Sequence, residues 1–393
     1  MGNSNRNKYS LAFQKKLYQQ FKGHCFLCGN QFLQIHHIIP HHITKKHDPE
    51  TSAAVCAHCH EVITFSPYLF TEVVQLSIKK DVINVINLYY KAKNFLHDDK
   101  FHLAMNCYLK ENLHNDLIRL GWYHKARELA QTLFAKSISN TMNRIQIVLA
   151  LGEIEFWLGN HLIGKAYLEK IDNEIKYLET QMRSWFNDTK GRLLSYFADE
   201  PELKFLTSNK IEQKHAIEFF DKAIEITNDR VQLAKLYSSK ASSLKSLGLL
   251  GEAFNECLKG IEITDNDELL RGRETNLDRI ASIHLAKKEY VKSFEKLSEA
   301  LMGSLTLNHK RGIAYRLRSM SAAYLGLGEF ESALISLKLG NFFSESISDP
   351  NGKWMYDVEK SIRKSMGLDK FEKLNFAITS DWRKYLKKFP TDI

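Results

Sequence analysis

Two CxxC pairs stand close together near the start of the chain, and they restrict what this region can fold into more than any other feature. The pairs are Cys25 with Cys28 and Cys56 with Cys59, in a chain of 393 residues that holds six cysteines. Four thiolates complete a tetrahedral shell around Zn²⁺ and leave no position for water, which is typical of a structural site. The spacing therefore predicts a structural zinc site at these four cysteines. Because metal binding and folding are coupled in units this small, the ion should be required for the local fold.

Length and charge set further limits. A chain of 393 residues exceeds the usual size of one hydrophobic core, so two or more structural units are expected. Residues 1–60 contain seven Lys or Arg and two acidic residues, so they carry +5 of the net charge of +9. This charge favours a nucleic-acid partner, although solvated surface lysines would account for most of it. No apolar run of membrane-spanning length and no secretory signal are present, so we expect a cytoplasmic protein without a membrane partner and without disulfides.

Histidines surround the cysteine pairs. The segment His36-His37-Ile38-Ile39-Pro40 lies between the pairs, and His60 directly follows the second pair to give CAHCH. On these motifs, about residues 20–70 resemble the HNH endonuclease family. Members of that family have a ββα-metal fold in which a histidine pair ends the first strand and CxxCH opens the helix. Residues 1–70 are therefore expected to form an HNH nuclease domain that contains the four-cysteine zinc site.

The resemblance also implies a role for each histidine. His37 would be the general base, and His36 with His60 would hold a catalytic divalent cation, Mg²⁺ or Mn²⁺. An imidazole with an ordinary pKa near 6.5 suits proton removal at neutral pH, and a cation stabilises the charge that develops on the phosphate. Thr51 stands where the family usually has Asn, the residue that braces the loop carrying the base. This departure leaves open a zinc ribbon that binds nucleic acid and cleaves nothing.

The rest of the chain predicts helices that repeat. Between Pro67 and Pro350 the only proline is Pro201, and apolar residues recur at helical spacing. Three segments align at steps of forty residues, with one set of large side chains and one set of small ones at matching positions. The large set is Leu250, Tyr290 and Phe330, and the small set is Ala253, Ser293 and Ala333.

Gly248 and Gly328 precede two of these segments at the expected turn between paired helices. With those glycines, aromatics and alanines, the segments resemble tetratricopeptide repeats, although the unit is six residues longer than the usual 34. We therefore expect a mostly α-helical chain, in which the small zinc-bound ββα-metal domain precedes a superhelical array of five or six repeats over residues 71–370. Residues 371–393 would be a basic cap or tail. Stacked repeats form a continuous core and a concave surface that suits a protein or peptide partner.

The leading functional hypothesis is a metal-dependent endonuclease that cleaves nucleic acid, with DNA favoured over RNA. The repeat array would recruit or sense the protein or peptide that controls cutting, and this layout would suit bacterial defence against phage by analogy of architecture. Two alternatives stay open. One is a non-catalytic, zinc-dependent adaptor that binds nucleic acid, and the other is a regulator that responds to a peptide through its repeats.

Overall fold

The computed structural model describes residues 9–29, 34–39, 43, 47–65, 70–111, 113–137, 141–199, 209–264, 270–346 and 353–380. These residues are mostly helical, and the strands among them lie near the N-terminus, as the sequence predicts. They divide into two compact units, one that runs to Asp116 and one from Leu117 to Ser380. Pro201 and the last thirteen residues of the expected basic tail lie outside the described residues. No helix of the described residues is both long and apolar enough to cross a membrane.

The first unit contains a β-hairpin and several helices. Its elements are α1 (Leu11–Phe21), β1 (Gln34–His37), β2 (Ser52–Val55), α2 (Ala57–Phe65), α3 (Glu72–His97) and α4 (Phe101–Met105), which continues as a π-helical turn (Asn106–Lys110). The strands are antiparallel, with His36 opposite Ala53 and His37 opposite Ser52. The order of strand, strand and helix is the one that the ββα resemblance implies.

Helices α1 and α3 pack within this first unit. The Ser10 hydroxyl accepts a hydrogen bond from the Phe13 amide and begins α1, whose apolar residues Phe13, Leu17 and Phe21 are buried. Helix α1 contacts both β2 and α3. The compact unit therefore extends beyond residue 70, the end expected for the N-terminal domain, because α3 buries its apolar face within this unit.

The second unit is a series of antiparallel helix pairs. The boundary between the units falls inside α5 (Leu113–Arg119), which enters the second unit at Leu117. The helices that follow are α6 (Tyr123–Lys136), α7 (Thr141–Trp157), α8 (His161–Glu169), α9 (Thr180–Asp199), α10 (Asn209–Ile226), α11 (Arg230–Ser246), α12 (Leu250–Ile263), α13 (Leu270–Ala286), α14 (Tyr290–Thr306), α15 (Lys310–Leu327), α16 (Phe330–Ser346), α17 (Lys353–Met366) and α18 (Leu368–Ser380). From α7 onward, each odd-numbered helix packs against the even-numbered helix that follows it.

One turn geometry joins the helices of the aligned repeats. Gly248 and Gly328 have φ angles of 83° and 80°, and Lys288 occupies the equivalent position with a φ of 60°. After each of them, the next amide donates to the carbonyl five residues earlier, as in a Schellman turn. These bonds join Leu249 to Leu244, Glu289 to His284, and Glu329 to Tyr324. The two predicted turn glycines are therefore confirmed, and a lysine adopts the same conformation between them.

The predicted packing positions are also confirmed. The small residues Ala253, Ser293 and Ala333 are completely buried. The three large residues that begin the second helices, Leu250, Tyr290 and Phe330, are half-buried. Small side chains allow the paired helices to approach closely, and the large ones cover the end of the interface between them.

Early and late helices of the array also touch. The Arg119 guanidinium donates from Nη1 to the Leu307 carbonyl at 2.8 Å. The Arg311 guanidinium carbon lies over the Trp157 ring, 4.5 Å from its centroid. Helices that are far apart in the chain therefore meet within the second unit.

Candidate metal centre and nuclease site

The four cysteines of the CxxC pairs form a single cluster. Their sulfur atoms lie within 4.8 Å of one another, and the Sγ atoms of Cys28 and Cys56 are 3.7 Å apart. Tetrahedral Zn–S bonds of about 2.3 Å place sulfurs about 3.8 Å apart, whereas a disulfide needs about 2.05 Å. Three of the four side chains are buried and Cys56 is half-buried. The cluster therefore has the donor set and the spacing of a closed tetrahedral metal site.

Local backbone structure brings the two pairs into place. Gly29 adopts a positive φ of 74°, and its amide donates to the Cys25 carbonyl at 2.9 Å, which folds the first pair into a tight turn. The second pair lies at the start of α2, where the Cys59 amide donates to Cys56 Sγ at 3.4 Å. A helix N-terminus stabilises a thiolate, so this position favours a metal-binding cysteine.

The rings of His36 and His60 contact each other edge to face. His36 comes from β1 and His60 from α2, and their ring centroids are 5.2 Å apart at an interplanar angle of 78°. Burial lowers the pKa of His36 to about 4, against a hydrogen bond with Gln75 that raises it, and burial also lowers the pKa of His60. Both rings are therefore neutral at pH 7 and can offer a lone pair. Two neutral imidazoles in contact are a donor pair that a divalent cation can bind.

His37 has a separate set of neighbours. Adjacent strand residues point to opposite faces, so His37 leaves β1 away from His36. Its Nε2 lies 3.1 Å from Nδ1 of His47, and the two nitrogens share one hydrogen. The Tyr9 ring packs against both histidines, with centroids 5.7 Å from His37 and 4.8 Å from His47. The structure thus pairs His36 with His60 and holds His37 in another group.

Thr51 braces the loop after His37 mainly through its backbone. Its carbonyl accepts the Ile38 amide at 2.8 Å, which extends the strand pairing by one step beyond His37. Its hydroxyl donates to the Asp48 carbonyl at 3.4 Å. Thr51 ends a short 3-10 turn, Pro49–Thr51. The Thr51 carbonyl therefore holds the chain directly after His37.

Two neighbours of the site, Gln75 and Lys79, belong to none of the sequence motifs. The side chain of Gln75 contacts His36, and Lys79 donates to the backbone carbonyls of Pro49 and Glu50. Both residues are buried on α3, at 6% and 5% exposure. In the sequence, only their spacing of four residues on an apolar helix face could indicate these two residues. Ordinary core residues have the same spacing, so it does not mark them as part of a site.

No protein-family model and no curated protein matches this sequence. Among solved structures, a Rap protein complexed with Competence and Sporulation Factor is similar over 74% of this chain and 80% of that chain, with 16% identity and a TM-score of 0.51. Aspartyl phosphate phosphatase F from Bacillus subtilis is similar over 78% of this chain and 86% of its own, with 10% identity and a TM-score of 0.44.

A STAND signal transduction ATPase with a tetratricopeptide repeat sensor, from Pyrococcus horikoshii, is similar over 84% of this chain and 53% of its own. Its identity is 13% and its TM-score 0.46. At these identities, the likeness to the Rap protein shows the fold alone. The second unit therefore has a tetratricopeptide-like helical repeat fold.

Proposed function

We propose that this protein is a metal-dependent, HNH-type endonuclease whose repeat array binds a protein or peptide partner. The observation that supports cleavage most directly is the contact between the rings of His36, on β1, and His60, which directly follows the second cysteine pair on α2. Zn²⁺ at the cysteines would have a structural role, because four thiolates leave no position open for a substrate or water. Mg²⁺ or Mn²⁺ would be held by His36 and His60.

Different side chains have different roles in the proposed hydrolysis. His37 removes the proton from the attacking water, and His47 holds the His37 ring in one orientation through the shared hydrogen. His36 and His60 would hold the divalent cation, which would supply positive charge at the scissile phosphate. Lys15, Lys16 and Lys22 are exposed on or just after α1 and supply positive charge for the nucleic-acid backbone.

The repeat array supports the second part of the proposal. Its fold is similar to that of a Rap protein that was solved with Competence and Sporulation Factor. Stacked helix pairs form extended surfaces that suit such partners. A nuclease with a sensor of this kind would cut when its partner binds, and defence against phage is one setting that this arrangement suits.

A cleavage assay on supercoiled DNA, linear DNA and RNA, with Mg²⁺ or Mn²⁺, tests the catalytic proposal. The wild-type protein should cleave DNA, and His37→Ala should lower the rate by about 10² to 10⁴, the usual contribution of a general base. His60→Ala should lower the rate and raise the metal concentration required. His97→Ala is the matched control, because His97 is an exposed histidine at the end of α3 and should leave cleavage unchanged. Equal rates in all four proteins would contradict the assignment.

Thr51, at the position of the family Asn, favours a second candidate. In this alternative, the zinc unit binds nucleic acid without cleaving it, and the repeats gather protein partners. Binding of DNA that depends on Zn²⁺, without cleavage under any metal condition or in cell extract, would support the adaptor. Cleavage that is lost in His37→Ala would exclude it.

A further inference from the structure

Gln75 is a buried amide whose orientation is fixed at both ends. It lies in the first turn of α3 and is 6% exposed. Its Nε2 donates to the Phe70 carbonyl at 2.7 Å. A carbonyl oxygen can only accept, so the NH₂ end of the side chain must face Phe70. The amide oxygen, Oε1, therefore faces the other way, and it lies 2.8 Å from Nε2 of His36.

This orientation determines which nitrogen of His36 carries the hydrogen. The Gln75 oxygen can only accept a hydrogen bond, so Nε2 of His36 must be the donor. A neutral imidazole has one N–H, and its other nitrogen then carries the lone pair. In His36 that nitrogen is Nδ1. The contact with Gln75 therefore selects one tautomer and restrains rotation of the ring.

We infer that Gln75 is the positioning residue that orients His36, so that Nδ1 of His36 binds the divalent cation together with His60. The inference rests on the proposed nuclease site. Histidines that bind metals usually donate their other N–H to a carbonyl or carboxylate, which fixes the ring and strengthens the ligand. Gln75 supplies that acceptor here from an element outside the motif.

The surroundings of Gln75 support a positioning role over simple space filling. A buried amide is costly unless its hydrogen bonds are made, and an apolar residue would fill the same volume without that requirement. Lys79, one turn later on the same face of α3, donates to the carbonyls of Pro49 and Glu50 in the turn that ends at Thr51. The same helix face thus restrains the metal-binding histidine and the loop that follows the base.

Binding of Mn²⁺ alone to the full, zinc-loaded chain tests the inference without requiring cleavage. Electron paramagnetic resonance measures free Mn²⁺ during titration of the wild type, Gln75→Ala and Gln75→Glu. Gln75→Ala should weaken Mn²⁺ binding by about 10-fold or more, the usual effect of removing such a partner. Gln75→Glu keeps an acceptor for Nε2–H but loses the donor to the Phe70 carbonyl, so it should bind Mn²⁺ more tightly than Gln75→Ala does.

Gln213→Ala is the matched control. Gln213 is equally buried, at 2% exposure on α10, and it donates to the Ser195 carbonyl within the repeat array. Its removal should lower thermal stability and leave Mn²⁺ affinity unchanged. If Gln75→Ala lowers stability but leaves Mn²⁺ affinity equal to that of the wild type, Gln75 has only a structural role and the inference is wrong.

Nitrogen NMR of the wild type with labelled histidine gives a second test that no variant can obscure. His36 should show a hydrogen on Nε2, and a hydrogen on Nδ1 would overturn the inference. Mn²⁺ binding and cleavage, measured on the same variants, distinguish this inference from the proposed nuclease activity. Gln75-dependent Mn²⁺ binding without cleavage would contradict the nuclease and leave the positioning role standing, whereas cleavage with Gln75-independent Mn²⁺ binding would do the reverse.

Discussion

The Asn276 side chain lies directly against Gly260, so closely that a Cβ added to Gly260 would stand 2.4 Å from Asn276 Nδ2. Asn276 is completely buried on α13 and cannot move aside easily. Its Nδ2 donates to the carbonyls of Ala234 and Gly272, each at 2.9 Å. This amide therefore ties α11 to α13 at the point where α12 comes closest.

The Gly260→Ala substitution should destabilise the array. The added methyl group would displace Asn276 and break its hydrogen bonds, at a cost of about 1 to 3 kcal/mol in unfolding free energy. Gly251→Ala is the control in the same helix, because a Cβ there meets nothing within 4 Å. Alanine has the higher helix propensity, so Gly251→Ala should be neutral or stabilising by up to about 1 kcal/mol. Chemical denaturation followed by circular dichroism measures both, and equal effects would contradict the close contact.

The repeat architecture could be predicted because its main determinants are local. Helix periodicity and the forty-residue step give the paired helices, and Gly248 and Gly328 mark turns that need a positive φ. Lys288 shows the limit of that reasoning. A lysine seldom adopts a positive φ, so nothing in its residue type marks the turn, and the packing of α13 against α14 imposes it.

The candidate site could be predicted only where its residues belong to compact motifs. The four cysteines and His36, His37 and His60 stand at spacings that carry chemical meaning by themselves. Gln75 contacts His36 across 39 residues of sequence, and this contact depends on how α3 packs in the first unit. His47 resembles an ordinary loop residue in sequence, and its contact with His37 becomes apparent only when the hairpin is folded.

Cys28→Ser should remove the bound Zn²⁺. Serine cannot supply a thiolate, and the remaining three cysteines would leave an open and much weaker site. The wild-type protein should contain about one Zn²⁺ per chain by elemental analysis, and the variant close to none. Since binding energy is also folding energy in such sites, the first unit should become sensitive to protease while the array keeps its helical signal.

Cys257→Ser is the control for that experiment. Cys257 is completely buried on α12 in the array and lies outside the four-cysteine cluster. Its substitution should cost stability in the array and leave the Zn²⁺ content unchanged. Full Zn²⁺ content in Cys28→Ser would contradict a site built from all four cysteines.

Glu274 is at the centre of a buried ionic cluster in the array. It is 1% exposed, accepts a hydrogen bond from the Ser304 hydroxyl, and lies 2.6 Å from Nδ1 of His309 and 3.4 Å from Nη2 of Arg316. Burial alone would raise the pKa of the carboxyl group, but the charges of Arg316 and His309 outweigh it. They hold the pKa of Glu274 at about 2.

Acid should therefore weaken the array through Glu274. A carboxyl group whose folded pKa is depressed stabilises the fold above its unfolded pKa of about 4.3 and loses that effect as the pH falls towards the folded pKa. The difference in pKa corresponds to on the order of 3 kcal/mol. Thermal unfolding of the wild type between pH 5 and pH 3 should show a decline in stability that is shallower in Glu274→Gln. Parallel curves for the two proteins would show that Glu274 is not responsible.

Lys79 and Lys80 are neighbours on α3 in opposite environments, and they test how the loop after His37 is held. Lys79 is buried and donates to the carbonyls of Pro49 and Glu50, whereas Lys80 is exposed. Lys79→Met keeps the aliphatic length but removes the donor to two carbonyls. Because Pro49 is half-buried and Glu50 is exposed, water can partly replace that donor, and the loss should be about 1 kcal/mol in unfolding free energy. Lys80→Met should change stability by less than about 0.5 kcal/mol.

Release of Zn²⁺ to a chelator reports on opening of the first unit, so it should be faster in Lys79→Met than in Lys80→Met or the wild type. Cleavage should fall in Lys79→Met as well, because the turn held by Lys79 ends at Thr51, whose carbonyl fixes the Ile38 amide next to His37. Faster Zn²⁺ release in both variants would point to a general effect of lost positive charge. Unchanged release and cleavage in Lys79→Met would mean that the loop is held without α3.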